Sequence, residues 1–151
     1  MIIKKNDLNF DWVLIDELAV GALPKKDSHL SFLKNNNIKS IFTLCSNEEG
    51  KVPKSFENQF NCNNYVLPDH KSKKLPKIEQ ITECINILES LLKKGAVYVH
   101  CFAGVERSPL ICLAYLITNK NIDKQNGLEY MMQIHPSTNP LKGQLDLLSK
   151  L

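Results

Sequence analysis

The chain has 151 residues, 43% hydrophobic and 23% charged, with a formal net charge of +3. These values suit one globular domain, 1–151, around one core, and the small, scattered positive excess does not point to nucleic acid. No stretch approaches the ~20 apolar residues of a membrane span, and five cysteines without a Cys-x-x-Cys pair argue against a disulfide framework or a structural zinc site.

In chain order, MIIKKNDLNFDW lacks both the apolar run and the small-residue cleavage site of a signal peptide, so a reduced, cytoplasmic protein is expected. WVLIDELAVGALP (12–24) reads as one or two short strands ending at Gly and Pro. Asp27 or Ser28 suits the cap of a short helix through SHLSFLKNN. IKSIFTLC (38–45) reads as a buried strand, 46–63 as a polar loop with a helical turn, and NYVLPD (64–69) as a strand running into a turn. The spacing of Ile78, Ile81, Ile85, Leu88 and Leu92 predicts an amphipathic helix over 77–94. Lys93 and Lys94 suit its dipole and Gly95 its C-cap. AVYVH (96–100) is a short buried strand. Ser108–Thr118, apolar nearly all round, reads as a central helix. Asp123 suits the cap of a further helix toward Ile134, and Leu141–Leu151 reads as a last one. Strands alternating with helices imply an α/β domain with a mainly parallel sheet covered on both faces.

Residues 100–109 read HCFAGVERSP, and Arg107 is the only arginine among the 19 Lys and Arg residues. A buried strand ends at His100, a compact loop follows, and a helix starts near Ser108 with Pro109 in its first turn, where a missing N–H costs nothing. A loop at a helix N-terminus aims several backbone N–H groups at one spot and makes an anion site. Gly104 lets the backbone turn tightly there. A cysteine at the front of such a loop is favoured as thiolate, a nucleophile aimed at phosphorus. A planar arginine fork can hold two phosphoryl oxygens where lysine cannot.

Cys-x5-Arg, with His before it, Gly inside and Ser after it, resembles the signature loop of the cysteine-based protein tyrosine phosphatases. The short domain, and the loop's place two-thirds along it, resemble the compact dual-specificity branch. LAVGALP resembles that branch's first strands, IKSIFTLC its strand before the variable loop and NPLKGQLDLL its closing helix. The resemblance implies a single α/β domain whose mainly parallel central sheet is flanked by helices. It implies Cys101 as nucleophile, Arg107 as phosphoryl clamp and the backbone N–H groups of Phe102, Ala103, Gly104, Val105, Glu106 and Arg107 as the phosphate cradle. Ser108 would help the sulfur leave, and His100 would orient the loop without acting as a base. The leaving oxygen must be protonated, which Cys101 cannot do; Asp69, 32 residues before Cys101 in PDHK, matches the family's general acid. Some relatives carry a cysteine where Cys45 stands that forms a disulfide with the nucleophile, which makes Cys45 a candidate redox partner. No metal and no cofactor is expected.

Glu106 departs from the commonest family loop; it is expected to turn back onto loop N–H groups or to pair with a cation. His29, His70 and His135 have no metal-like spacing, although His70 sits beside Asp69. Lys71, Lys73, Lys74 and Lys77 read as a solvated loop or as a basic rim. The expected function is hydrolysis of phosphotyrosine, and of phosphoserine or phosphothreonine, in a phosphorylated protein partner by a monomer that binds neither membrane nor nucleic acid. The alternatives are the same chemistry on a nucleotide, RNA 5′ end, glycan or phosphoinositide, a phospho-binding pseudophosphatase, or an arsenate reductase or sulfurtransferase. The loop carries no lysine, which argues against highly charged lipids or RNA triphosphates. A binder has no need of Cys101, and small thiol enzymes with this loop usually carry it near the N-terminus.

Overall fold

The computed structural model describes residues 7–151; residues 1–6, part of the stretch read above for a signal peptide, lie outside the described residues. Strands β1 (Phe10–Leu14), β2 (Leu18–Gly21), β3 (Ile38–Thr43), β4 (Asn61–Asn64) and β5 (Ala96–His100) form one sheet in the order β1-β2-β5-β3-β4. The β1–β2 pair is an antiparallel hairpin, and the β2–β5, β5–β3 and β3–β4 pairs are parallel. Every residue of β5 is buried, as befits a central strand covered on both faces.

Helix α1 (Asp27–Asn35) covers one face, where Leu30 and Leu33 join Phe10, Ile41, Phe56 and Tyr98. Helices α2 (Ile78–Leu92), α3 (Arg107–Asn119), α4 (Lys124–Ile134) and α5 (Lys142–Leu147) are on the other. Ile81, Cys84, Ile85, Leu88 and Leu91 form the buried stripe of α2, and Gly95 beyond its end has φ +130°. In α3 every residue from Arg107 to Leu116 is buried. Asp123 caps α4 by accepting from the Asn126 N–H at 2.9 Å.

Two expectations are corrected. The fourth strand is Asn61–Asn64, not 64–69: its three asparagines and one cysteine are all exposed at the sheet edge, so they carry no strand pattern. The chain then continues beside β3, Tyr65 N–H donating to Thr43 O at 2.9 Å and Leu67 N–H to Leu44 O at 3.0 Å. Helix α1 starts one residue before the expected caps: Lys26 is its N-cap without a side-chain bond, and Asp27 lies in its first turn. Among the described residues no helix is long and apolar enough to cross a membrane.

Candidate active site

The chain leaves β2 toward α1 on one face and leaves β5 toward α3 on the other, so a crevice opens between the carboxyl ends of these parallel strands. The loop 101–106 fills its floor. Thr43 stands beside His100 in the ladder, which brings the ends of β2, β3 and β5 around the loop.

What shapes the loop is where its carbonyls point. His100 Nδ1–H donates to Cys101 O at 3.1 Å, Leu23 N–H to Phe102 O at 3.1 Å and Asn9 Nδ2 to Ala103 O at 3.2 Å. His135 Nε2–H donates to Gly104 O at 2.5 Å, and Asn139 N–H to Val105 O at 2.7 Å. Leu110 N–H donates to Glu106 O at 3.1 Å inside α3. Six successive carbonyls are thus tied on the outside. In a trans peptide the next N–H points the opposite way, so the N–H groups of Phe102 through Arg107 face the interior of the loop. Gly104 is required here. Its φ is +74°, and a Cβ on it would stand 2.6 Å from the carbonyl carbon of Gly21 and 2.8 Å from the Ala22 nitrogen, both backbone.

Cys101 Sγ lies 3.2 Å from Ser108 Oγ, and Ser108 Oγ–H donates to Gly21 O at 3.1 Å. That donation leaves the hydroxyl oxygen to face the sulfur until a proton rearranges. His100 is fully buried, and burial lowers its pKa to about 4, so the ring is neutral. Cys101 O can only accept, so the proton sits on Nδ1, and Nε2 accepts from Thr43 Oγ1 at 2.7 Å. Both ring nitrogens are thus engaged, one by the Cys101 carbonyl and one by Thr43.

Arg107, 58 positions from Glu49 in sequence, is clamped by it: Nη2 to Oε1 at 2.5 Å and Nη1 to Oε2 at 3.1 Å. Nη1 also donates to Leu67 O at 3.1 Å and Leu44 O at 3.4 Å. A guanidinium has five N–H donors; these partners take the Nη1 hydrogens and one on Nη2. The edge formed by Nε and the other Nη2 hydrogen remains, and it is a bidentate fork. The Arg107 hydrogen bond pulls the Glu49 carboxyl below the usual carboxylate range, so the clamp is an ion pair.

Asp69 caps a single turn, His70–Ser72, accepting from Ser72 N–H at 3.1 Å. It lines the same cleft of about 770 Å³ as Cys101, Arg107, Phe102, Ala103, Val105 and Glu106. Glu106 does not fold back onto loop N–H groups; it pairs with a cation-forming group, His70, and accepts from Gln144. Cys45 is a buried free thiol just beyond β3, and burial pushes its pKa up to about 11. Lys71 and the exposed Phe102 and Leu141 line the mouth, with Lys25 Nζ 4.9 Å from the centre of the Phe102 ring. Among the described residues no group of three His, Cys, Asp or Glu side chains is arranged to hold a metal ion.

Of the expected residues, Cys101, Arg107 and Asp69 line one cleft, while Ser108 is buried beside the Cys101 sulfur and His100 is buried against the Cys101 carbonyl. Sequence reasoning missed the Glu49 clamp, although a buried lone arginine calls for a counter-ion, and Glu48 and Glu49 stand beside the strand end that faces the loop. It also missed Asn9, His135, Asn139 and Ser137, whose Oγ–H donates to Gly104 O at 3.3 Å; these act on loop carbonyls and leave no spacing signal.

Comparison with known proteins agrees with this geometry. Residues 22–150 match the sequence model of the dual specificity phosphatase catalytic domain. The phosphatidylglycerophosphate phosphatase PTPMT2 of Arabidopsis thaliana is 34% identical over 128 residues, covering 83% of this chain and 55% of that protein. The chain spans about half the length, or less, of the first relatives it matches. Among solved structures, PTPMT1 in complex with PI(5)P superposes with TM-score 0.80 at 20% identity, covering 93% of this chain and 92% of that one. DUSP15 superposes with TM-score 0.77 at 26% identity, covering 93% and 85%. With Cys101 at the foot of a loop that opens a helix, on the fold those structures share, and with the sequence model matched over residues 22–150, the chain belongs to the dual specificity phosphatase catalytic-domain family.

Proposed function

We propose that this chain hydrolyses a phosphomonoester through a cysteinyl-phosphate, and that its substrate is a phospholipid headgroup of the phosphatidylglycerophosphate type rather than a phosphoprotein. The chemistry rests on one observation: the six carbonyls from Cys101 to Glu106 are each tied by a donor, which leaves the N–H groups of Phe102 through Arg107 for a phosphoryl group at Cys101. Cys101 attacks phosphorus in line, the P–O bond breaks, and Asp69 gives its proton to the leaving oxygen. The N–H groups and the free edge of Arg107 hold the three equatorial oxygens. In the second step water attacks the cysteinyl-phosphate, Asp69 takes the proton, and Ser108 donates to the departing sulfur.

The substrate class rests on similarity to a phosphatidylglycerophosphate phosphatase over 83% of the chain. The cleft suits it in two respects. Its cradle holds one phosphoryl group, with no lysine among 101–107 to hold a second. Exposed apolar side chains, Phe102 and Leu141, stand at its mouth beside Lys71.

The test is metal-free phosphate release from a panel: phosphatidylglycerophosphate in mixed micelles, phosphoinositides, phosphotyrosine and phosphoserine peptides, and 5′-phosphorylated RNA. Phosphatidylglycerophosphate is expected to give the highest kcat/KM, by tenfold or more. A phosphotyrosine peptide turned over faster than any lipid would return the function to protein dephosphorylation.

A further inference from the structure

The segment that carries Asp69 is lightly held. From His70 to Leu75 every residue is exposed. Its hydrogen bonds close on themselves: Ser72 N–H and Oγ–H to Asp69, Lys73 N–H to His70 O, Lys74 N–H to Ser72 Oγ. Among the described residues, one hydrogen bond joins residues 68–76 to the rest of the protein. It runs from His70 Nδ1 to Glu106 Oε2, at 2.9 Å.

The other end of that contact is fixed. Glu106 Oε1 accepts from Gln144 Nε2 at 2.6 Å. Gln144 is fully buried, and its own Oε1 accepts from Leu141 N–H at 2.8 Å, which settles the amide orientation. The chain of contacts is therefore α5, Gln144, Glu106 on the phosphate loop, His70, and then Asp69 one residue away. An exposed ion pair in isolation is worth little. Here the carboxylate is held from behind, with its side chain only 12% exposed, and the pair spans the two loops that must meet at the substrate.

We propose that Glu106 and His70 are positioning residues: the His70–Glu106 contact, braced by Gln144, docks the acid segment on the phosphate loop and sets Asp69 at the leaving oxygen. This rests on Asp69 as the general acid. The unusual glutamate in the loop then has a task that does not involve the phosphate. It faces the neighbouring segment, and its charge is taken up by donors on both sides.

Docking of the acid matters where the leaving group needs a proton and little where it does not. The experiment compares wild type, His70→Ala, Gln144→Ala and Glu106→Ala with phenyl phosphate, a poor leaving group, and 2,4-dinitrophenyl phosphate, a good one. Backbone hydrogen exchange over 68–74 is followed in the same proteins. For His70→Ala, kcat on phenyl phosphate is expected to fall about tenfold with KM changed less than twofold, while the dinitrophenyl ester loses less than threefold. Exchange over 68–74 is expected to rise in all three variants, and His70→Ala in the Glu106→Ala background to add nothing. Equal losses on both esters, or faster exchange without a leaving-group effect, would overturn the positioning role. Unchanged exchange would overturn the docking itself. Should the wild type hydrolyse no phosphomonoester, the functional reading fails, and the exchange data still decide whether the contact docks the segment.

Discussion

At the residue scale the lone arginine is one half of a two-part device. Glu49 takes one edge of the Arg107 guanidinium and leaves the other free, so the fork is oriented before substrate arrives. Arg107→Lys keeps the charge and loses the fork, and is expected to lower kcat/KM by ~100-fold or more. Glu49→Gln keeps the shape and loses the ion pair; a loss of about tenfold is expected, larger for substrate than for inorganic phosphate binding. Steady-state kinetics of both variants check this, and a Lys variant at near-normal rate would make the arginine incidental. His100 supplies a pH prediction. Burial lowers its folded pKa to about 4 from the ordinary histidine value of 6.5. Between those values the unfolded chain binds more protons than the folded one, so stability is fully present above about pH 6.5 and falls toward pH 4. At pH 5 the loss amounts to about 2 kcal/mol. Urea midpoints of wild type and His100→Gln at pH 7 and pH 5 should show a smaller acid loss in the variant.

At the scale of elements, the loop is shaped by strand ends and helix starts rather than by its own propensity. Gly104→Ala would place a methyl on the Gly21–Ala22 backbone at a positive φ. A cost of 1–3 kcal/mol, roughly, is expected, with activity lost further because the N–H groups lose their convergence; thermal melts and turnover measure the two effects separately. Thr43 is the ladder partner of His100, so Cys45 and Cys101 leave neighbouring strand ends, and Cys101 is near enough to add to the rise in the Cys45 pKa. Peroxide is expected to oxidise Cys101 to the sulfenic acid, whose sulfur then bonds to Cys45 with loss of water. Because burial holds the Cys45 thiol pKa up at about 11, cross-linking should accelerate as pH rises from 7 to 9. Peptide mapping checks the pairing; a Cys101–Cys112 bridge, or recovery of Cys45→Ser equal to wild type, would refute it. The elements most legible in sequence were those with a strong period or a sharp end: α2 by its apolar stripe, β5 and α3 by their uniform burial, the active loop by residues that must be local to work. Asn61–Asn64 was illegible because an exposed edge strand is specified by its neighbour's backbone, not by its own side chains.

At the scale of the whole molecule, the sheet order brings together groups that the sequence scatters. Cys101 and Ser108 are seven positions apart, but Glu49 and Leu67 reach Arg107, and Asp69 the cleft, only because β3 lies beside β5 and the segment after β4 runs beside β3. The ten residues 100–109 were enough to read the nucleophile and the cradle, since here the cradle is one continuous loop. The supporting contacts from Asn9, Glu49, His135, Asn139 and Gln144 were hidden, because a residue that holds a carbonyl or a charge from across the fold has no required spacing. The account stands on a phosphoryl group passing through the Cys101 sulfur. Ser108→Ala removes the hydroxyl 3.2 Å from that sulfur, so the second step should slow and the intermediate accumulate. Acid quenching of this variant during turnover, followed by mass spectrometry of its peptides, is expected to show one added phosphoryl group on the peptide carrying Cys101, absent from Cys101→Ser. Phosphoryl on any other residue, or steady turnover by Cys101→Ser, would contradict the account.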